Sequence, residues 1–283
     1  MTIVFSINYH TNWGQRLLVC GSLPELGKNV PTKAVPMEYV SNGEWKLVVN
    51  VKKAASFSYK YLIFNEGTKT YTEEYMPART AVLAEGSNSC YLDDTWRSNG
   101  IDKTFYSAAF TEGLIARTSK PRKMEPLTAP TTLLFSISSP RVADGYQLAI
   151  IGSDKVLGNW DPKKALVMSD EQFPLWQAAI DATELTGIIE YKYVIYDTKT
   201  KNVVSWEEGE NRVIDASQIK GGATYNRNDE VFRYGLAPWK CTGVAIPVFS
   251  LRTEGSFGIG EYADLRKMSD WAKVTGQKII QTL

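Results

Sequence analysis

The chain has 283 residues, of which 43% are hydrophobic and 22% are charged, enough for two or three globular domains. Its 32 basic and 31 acidic residues almost cancel, which argues against nucleic acid as a partner. No apolar run approaches the roughly 20 residues of a membrane helix. Met1 leads directly into an alternating strand pattern with no secretory signal, so the sequence predicts a cytoplasmic location.

Residues 1–97 are predicted to form a β-sandwich. Leu17–Cys20 is a short apolar run, Asn42-Gly43 is a hairpin-type turn, and Phe57–Phe64 alternates with period two. Many short strands separated by turns, with no helical period, are typical of this fold class.

Residues 98–129 are predicted to be a linker. Lys120–Pro126 is charged and bracketed by prolines, which favours an extended backbone. Thr104–Phe110 is too apolar for a free linker, so we expect it to dock, with a part of the protein outside this sequence as one candidate partner.

Residues 130–234 repeat the first domain. Leu148–Gly158 matches Leu17–Gly27, and the offset between matching positions drifts only from 131 to 133. We call residues 1–97 copy 1 and residues 130–234 copy 2. Positions at which two copies of one domain differ indicate where function has diverged.

Residues 235–283 change in character. A buried strand at 243–248, a glycine-rich loop at 255–260, an amphipathic helix at 261–275 and a strand from 278 predict a β-α-β unit of a parallel sheet or barrel. Such a unit leaves apolar faces open, so we expect the chain to be a fragment of a longer protein. The glycine spacing does not fit a dinucleotide or phosphate-binding loop.

The residue types needed for a metal site are scarce. His10 is the only histidine, and Cys20, Cys90 and Cys241 form no CxxC pair. We expect neither a metal nor another cofactor, and interpret the cysteines as buried free thiols, with a disulfide as the alternative.

Two tryptophans of copy 2 are candidates for ligand contact. Trp160 lies in a Gly/Asn/Pro turn and Trp206 lies at a strand end among acidic residues. Exposed indoles with a lysine, a glutamate and an asparagine nearby suit a sugar, whose C–H face stacks on an aromatic ring. Half-buried packing residues are the alternative that composition leaves open.

The ordered motifs of copy 2 resemble the family-20 starch-binding carbohydrate module. They are Gly-Ser-x-x-x-Leu-Gly-Asn-Trp at 152–160, Leu-Trp at 175–176, Glu-Tyr-Lys-Tyr at 190–193 and Trp-Glu-x-Gly-x-Asn-Arg at 206–212. The resemblance implies an open-sided sandwich of seven to eight strands that binds α-1,4-glucans such as starch, glycogen and maltodextrins. It implies Trp160 and Trp206 as stacking platforms, with Lys192, Glu207 and Asn211 holding sugar hydroxyls; we call this the first-type site.

Copy 1 departs from that site. Asn29 replaces Trp160, Glu73 replaces Trp206 and Ala78 replaces Asn211, although Lys60 is retained. Both platforms are therefore missing, and we expect this site not to bind in copy 1.

The family's second-type site is matched in copy 1 instead, by Trp13 and Tyr39. Asp144 replaces Trp13 in copy 2, where the loop 168–173 has no tyrosine. We infer one binding site on each copy; the alternative is that copy 1 has decayed into a spacer. Trp45 and Trp176 are kept in both copies and are interpreted as structural.

The segments 243–252, 256–265 and 271–278 resemble the opening of a family-77 4-α-glucanotransferase. Together, the two resemblances predict a mainly β chain. It consists of two tandem immunoglobulin-like antiparallel β-sandwiches, followed by the first β-α-β unit of a truncated (β/α)8 barrel. It implies a parent enzyme that transfers glucan segments between α-1,4-glucans by retaining double displacement, with two carboxylates about 5–5.5 Å apart.

No catalytic carboxylate of that family matches a residue of this chain. The nearby acids Glu254, Glu261, Asp264 and Asp270 are interpreted as helix-start and solvent-face charges, so the fragment is expected to bind glucan without catalysis. The alternatives are a non-catalytic glycogen- or starch-targeting protein and, with less support, an immunoglobulin-like adhesion pair.

Overall fold

The computed structural model of the chain describes residues 1–52, 56–75, 77–98, 101–125, 128–235 and 240–282, with backbone only at 101–103. The strands of copy 1 are β1 (Thr2–Asn8), β2 (Gln15–Gly21), β3 (Val35–Pro36), β4 (Glu38–Ser41), β5 (Glu44–Asn50), β6 (Ser56–Asn65), β7 (Thr70–Glu73), β8 (Arg79–Val82) and β9 (Ser89–Thr95). One sheet has the order β4-β5-β1-β9; the other has the order β3-β2-β6-β7, with β8 also paired to β6.

Copy 2 has the same strand order. Its strands are β10 (Thr132–Ser138), β11 (Gln147–Gly152), β12 (Leu166–Val167), β13 (Ser169–Gln172), β14 (Leu175–Asp181), β15 (Ile188–Asp197), β16 (Asn202–Trp206), β17 (Arg212–Asp215) and β18 (Ala223–Val231). In both copies the first and last strands pair in parallel, and the other pairs are antiparallel. The predicted sandwich is confirmed, with nine described strands in each copy because the two-residue strands β3 and β12 add to the expected seven or eight.

Each sandwich encloses its own apolar core. Phe5 of β1 and Tyr59 and Tyr61 of β6 are buried in copy 1, and Phe135 and Tyr191 occupy corresponding places in copy 2. Trp45 and Trp176 are also buried, as expected for structural residues. The predicted hairpin turn is present, since Asn42 and Gly43 both have positive φ angles.

The two copies share a sheet. Strand β9 pairs in parallel with β18, which creates an eight-stranded sheet of order β13-β14-β10-β18-β9-β1-β5-β4. Leu92, in the core of copy 1, pairs with Asn226, whereas its neighbour Tyr225 packs against the core of copy 2. Because successive side chains of a strand point to opposite faces, the second sheets of the two copies lie on opposite faces of the shared sheet.

Side chains from both copies reinforce this junction. The rings of Tyr91 and Tyr225 stack with centroids 4.5 Å apart, and Arg227 pairs with Asp93. Asn228 Nδ2 donates to Asp94 Oδ1 over 2.7 Å. The junction therefore combines main-chain pairing, ring stacking and charge pairing.

The linker is not a free tether. It contains a 3-10 helix at Ile101–Tyr106 and a π-helical turn at Ala109–Leu114. The guanidinium of Arg141 in copy 2 lies 5.6 Å from the ring centroid of Phe105. The apolar part of the linker therefore contacts copy 2, as expected for a segment that docks.

The tail forms the predicted β-α-β unit, in which β19 (Gly243–Ile246) pairs in parallel with β20 (Ile279–Thr282) and α1 (Leu265–Val274) connects them. Strand β19 is shorter than expected and alternates between exposed and half-buried residues, so the prediction of a buried strand is wrong. Its one strand partner among the described residues is β20, which leaves much of its surface open. The helix is preceded by a 3-10 turn at Tyr262–Asp264.

All three cysteines are free thiols, so the disulfide alternative is not realised. Cys20 and Cys90 are buried, but Cys241 is half-exposed, contrary to the expectation that all three are buried. Among the described residues there is no group of three or more potential metal ligands, and no helix there is long and apolar enough to cross a membrane.

Candidate functional site

Trp160 has an unusual backbone conformation. It follows Gly158 and Asn159 with a φ angle of 62°, and its backbone N–H donates to the carbonyl of Gly152 over 2.8 Å. In copy 1, Asn29 has a φ angle of 59° and donates to Gly21 over 2.7 Å. Asparagine tolerates this left-handed region, whereas a bulky residue there is a conformational outlier. Copy 2 therefore maintains a strained backbone to present an indole ring.

The ring of Trp160 is supported from below. It packs against a small apolar cluster on the outer face of the second sheet of copy 2, formed by Ala149, Ile151, Val194 and Tyr196. The tryptophan is half-buried, so its exposure lies between the exposed indole that was expected and the packing residue that composition left open. This packing fixes the ring without burying it completely.

Trp206 lies on the same face of that sheet. It is the register partner of Val194, and Lys192 lies two residues before Val194 on β15. Partners in adjacent strands share a face, as do alternate residues along a strand. Trp206 is 41% exposed. The structure thus brings Trp160, Trp206 and Lys192, three of the candidate residues of the first-type site, to one face.

Polar contacts tie the neighbouring loop to this face. Lys192 Nζ donates to the carbonyl of Gly209 over 2.6 Å, and Asn211 Nδ2 donates to Glu190 Oε2 over 2.7 Å. Asn211 is exposed, and its side chain is accessible to a ligand at the surface that carries Lys192. Glu190 was not identified as a site residue from the sequence. Its position two residues before Lys192, on the same face of the strand, was the signal that could have identified it.

Glu207 does not fit the role that the sequence predicted for it. The residue is only 2% exposed, and its carboxylate accepts from the Tyr193 N–H, from Arg212 Nη2 at 2.9 Å and from Arg233 Nε at 3.0 Å. A buried carboxylate bound by two guanidinium groups holds the sheet edge together and is not accessible to a ligand at the surface. The sequence could not show this, because Arg233 is 26 residues away.

Copy 1 keeps the same buried cluster without the tryptophans. Glu74 accepts from Arg79 Nη2 at 2.7 Å and from Arg97 Nη2 at 3.2 Å. Burial alone would raise the pKa of Glu74, but attraction by Arg79 and Arg97 outweighs burial, so this pKa lies below its ordinary value of 4.5. The cluster is present whether or not the platforms are, which supports a structural role for Glu207.

The first-type surface of copy 1 carries an ion pair in place of the aromatic platforms. Lys60 Nζ lies 2.9 Å from Glu73 Oε2. Both residues line a shallow pocket together with Asn29. The stacking surface is therefore replaced by polar groups at the positions of Trp160 and Trp206.

The second-type surface of copy 1 is open. Trp13, in the turn between β1 and β2, is fully exposed, and Tyr39 on β4 is 58% exposed. The Tyr39 ring meets the buried Trp45 ring edge-on with centroids 5.3 Å apart, and Trp45 Nε1 donates to the carbonyl of Tyr9. Tyr39 is the register partner of Trp45, and Trp45 is the partner of Ile7 near the end of β1, so Tyr39 lies towards the end of the sandwich at which the turn with Trp13 begins.

The sequence profile of the starch binding domain family matches residues 1–91 and 130–224. A second profile, described as 4-alpha-glucanotransferase, matches residues 246–283. The first profile therefore covers both copies, and the second lies within the tail.

Individual proteins agree with this division. The chain is 28% identical over 301 residues to the 4-alpha-glucanotransferase DPE2 of Oryza sativa subsp. japonica, across 100% of this chain and 31% of that protein. It is 46% identical over 41 residues to the 4-alpha-glucanotransferase of Chlamydia muridarum, across 14% of this chain and 8% of that protein. A Neurospora crassa glucoamylase is 30% identical over 99 residues, across 34% of this chain and 16% of that protein. The chain thus spans less than a third of the length of these curated relatives.

Proposed function

The chain belongs to the starch binding domain family, and from this membership we propose that each copy binds α-1,4-glucans, copy 2 at its first-type surface and copy 1 at its second-type surface. The partners would be starch, glycogen or maltodextrins rather than nucleic acid or a membrane. The observation that supports the proposal most strongly is the presence of Trp160, Trp206 and Lys192 on one sheet face.

The chemistry of that face suits a glucan. The C–H face of a pyranose can stack on each indole, while Lys192 and Asn211 donate hydrogen bonds to hydroxyl oxygens. Glu190 and the buried Glu207 position other groups rather than contacting the sugar. Glu190 accepts a hydrogen bond from Asn211, and Glu207 binds Arg212 at the sheet edge where the strand of Trp206 ends.

For the whole protein we propose transfer of glucan segments between α-1,4-glucans. Support comes from the match at residues 246–283 and from the rice 4-alpha-glucanotransferase that aligns with the entire chain. Retaining transfer uses a nucleophilic carboxylate and an acid/base carboxylate about 5–5.5 Å apart. In the tail, Asp264 accepts from Thr253, from Ser256 and from the Glu261 backbone, so it serves as a helix-start residue. We therefore propose that residues 1–283 bind glucan without turning it over.

Co-sedimentation with granular starch tests the binding proposal. Replacing both Trp160 and Trp206 with alanine removes the stacking surface of copy 2, and we expect apparent affinity to fall at least tenfold, because two linked sites gain avidity on a long glucan, often about 10²–10⁴-fold. Trp271→Ala is the matched control, since Trp271 is a half-exposed tryptophan of the tail. Unchanged retention of the double variant on starch would contradict the assignment of this surface.

A further inference from the structure

The linker continues from its helical part onto a specific surface of copy 2. The side chain of Arg117 is only 6% exposed. Its Nε donates to Asp170 Oδ2 over 2.8 Å, its Nη2 donates to the carbonyl of Tyr146 over 2.7 Å, and its guanidinium lies 4.9 Å from the ring centroid of Trp176. An arginine this deeply buried and bonded fixes the segment around it.

Further bonds hold the residues that follow. Thr118 donates to Asp144 through its backbone N–H and its hydroxyl, and Ser119 donates to the same carboxylate. The backbone N–H of Arg122 donates to Asp170 Oδ1 over 2.7 Å. Its carbonyl accepts from Ser169 Oγ over 2.7 Å. The linker is thus attached to copy 2 at two aspartates, Asp144 and Asp170.

These two aspartates stand at the positions of the second-type aromatics. With the offset of 131, Asp144 corresponds to Trp13 and Asp170 corresponds to Tyr39. The correspondence is structural as well, since Gly14 and Gly145 both have positive φ beside the first pair, and the backbones of Met37 and Met168 form equivalent bonds near the second. The two rings that copy 1 exposes are replaced in copy 2 by the two carboxylates that bind the linker.

The partner of the buried tryptophan changes in the same way. In copy 1 the ring of Tyr39 contacts Trp45 at 5.3 Å, whereas in copy 2 the guanidinium of Arg117 lies over the equivalent Trp176 at 4.9 Å. A guanidinium is planar and attracted to an aromatic face, so it can cover that face where a tyrosine is missing. Carboxylates, in contrast, offer no stacking surface to a sugar.

We propose that residues 116–125 are the resident occupant of the second-type surface of copy 2, and that Asp144 and Asp170 convert this surface from a glucan site into a docking site for the linker. The inference rests on the proposed glucan binding for its functional meaning. Replacing the two rings with carboxylates thus changes the partner of the second-type surface from glucan to the linker. Copy 2 then binds glucan only at its first-type surface.

Hydrogen–deuterium exchange of the full chain tests this, read on peptides covering residues 116–125. The wild type should show protection at Thr118, Ser119 and Arg122, whose N–H groups are bonded to the aspartates. Asp144→Ala should raise exchange at Thr118 and Ser119 at least tenfold, and Arg117→Ala should do so throughout the segment. Asp144 is exposed in a loop, so its replacement leaves the core intact. Arg16→Ala is the control, because Arg16 is an exposed arginine of copy 1.

Exchange at the unprotected rate in the wild type, or unchanged protection in both variants, would overturn the proposal. A second arm adds saturating β-cyclodextrin to the wild type. Unchanged protection of residues 116–125 supports a resident occupant, whereas ligand-induced release would show that glucan competes for this surface and would overturn it. If β-cyclodextrin does not bind the chain at all while the variants still release the linker, glucan binding fails and the docking contact stands.

Discussion

Trp160 and Asn29 occupy one left-handed position in two copies of the same turn, and the difference between them separates conformational preference from function. Asparagine fits the backbone, whereas tryptophan is disfavoured there and must be retained for its ring. The motif pointed to Trp160 because its neighbours are turn residues. Its half-buried packing on Val194 could not be predicted, because that contact joins segments more than 30 residues apart.

The backbone argument predicts different stabilities for two variants of this residue. Trp160→Asn and Trp160→Ala should both lose glucan affinity, but the asparagine variant should be more stable by about 1 kcal/mol, since alanine retains the penalty of the left-handed region. Urea unfolding of the two variants measures the difference. Equal midpoints would mean that the turn relaxes when the indole is removed.

A second residue-scale prediction concerns Glu207. Glu207→Ala should destabilise copy 2 by about 3 kcal/mol, because Arg212 loses one of its two carboxylate partners and keeps Asp229, while Arg233 loses its bond to Glu207. Glu210→Ala serves as control, since Glu210 is exposed in the same loop. Chemical denaturation gives the comparison; a cost no larger than that of the control would show that the cluster is dispensable.

At the scale of elements, period-two alternation and the Asn42-Gly43 turn were sufficient to predict the strands and their hairpin, because both signals are local. The parallel pairing of β9 with β18 was not predictable in this way, since nothing local in Ser89–Thr95 indicates a partner 134 residues later. The site was predicted to the extent that its motif lies on adjacent strands. The prediction that Glu207 contacts a sugar failed, because arginines distant in the sequence bury its carboxylate.

The cluster at the edge formed by β7 and β8 predicts a pH dependence. The pKa of Glu74 is lower in the folded chain than its ordinary 4.5, so its ion pairs stabilise the fold above that value and lose this contribution as pH falls through the folded pKa. The wild type should therefore lose urea resistance below about pH 4.5. Glu74→Gln should be less stable at neutral pH and should lose less on acidification; parallel acid profiles would contradict the assignment.

At the scale of the molecule, the copies are joined by a shared sheet and by a docked linker, rather than by a flexible tether. Asn228 bonds to Asp94 across the junction, and Tyr91 stacks on Tyr225. With their second sheets on opposite faces of one sheet, the two surfaces proposed to bind glucan keep a fixed relation to each other. That relation decides whether one glucan can engage both.

This junction predicts cooperative unfolding of the copies. We expect calorimetry of the wild type to show them melting together, and a Tyr91→Ala, Asn228→Ala double variant to show two separate transitions. Tyr71→Ala is the control, because the Tyr71 ring packs against Phe64 within copy 1 and away from the junction. Separate transitions already in the wild type would show that the shared sheet does not couple the copies.

One glucan site on each copy is the central claim, and titration calorimetry with β-cyclodextrin counts the sites directly. The wild type should bind two equivalents. A Trp13→Ala, Tyr39→Ala variant and a Trp160→Ala, Trp206→Ala variant should each bind one, and the combination of all four changes should bind none. A single equivalent in the wild type that disappears with Trp160 and Trp206 would make copy 1 a spacer, and no binding by the wild type would contradict the account as a whole.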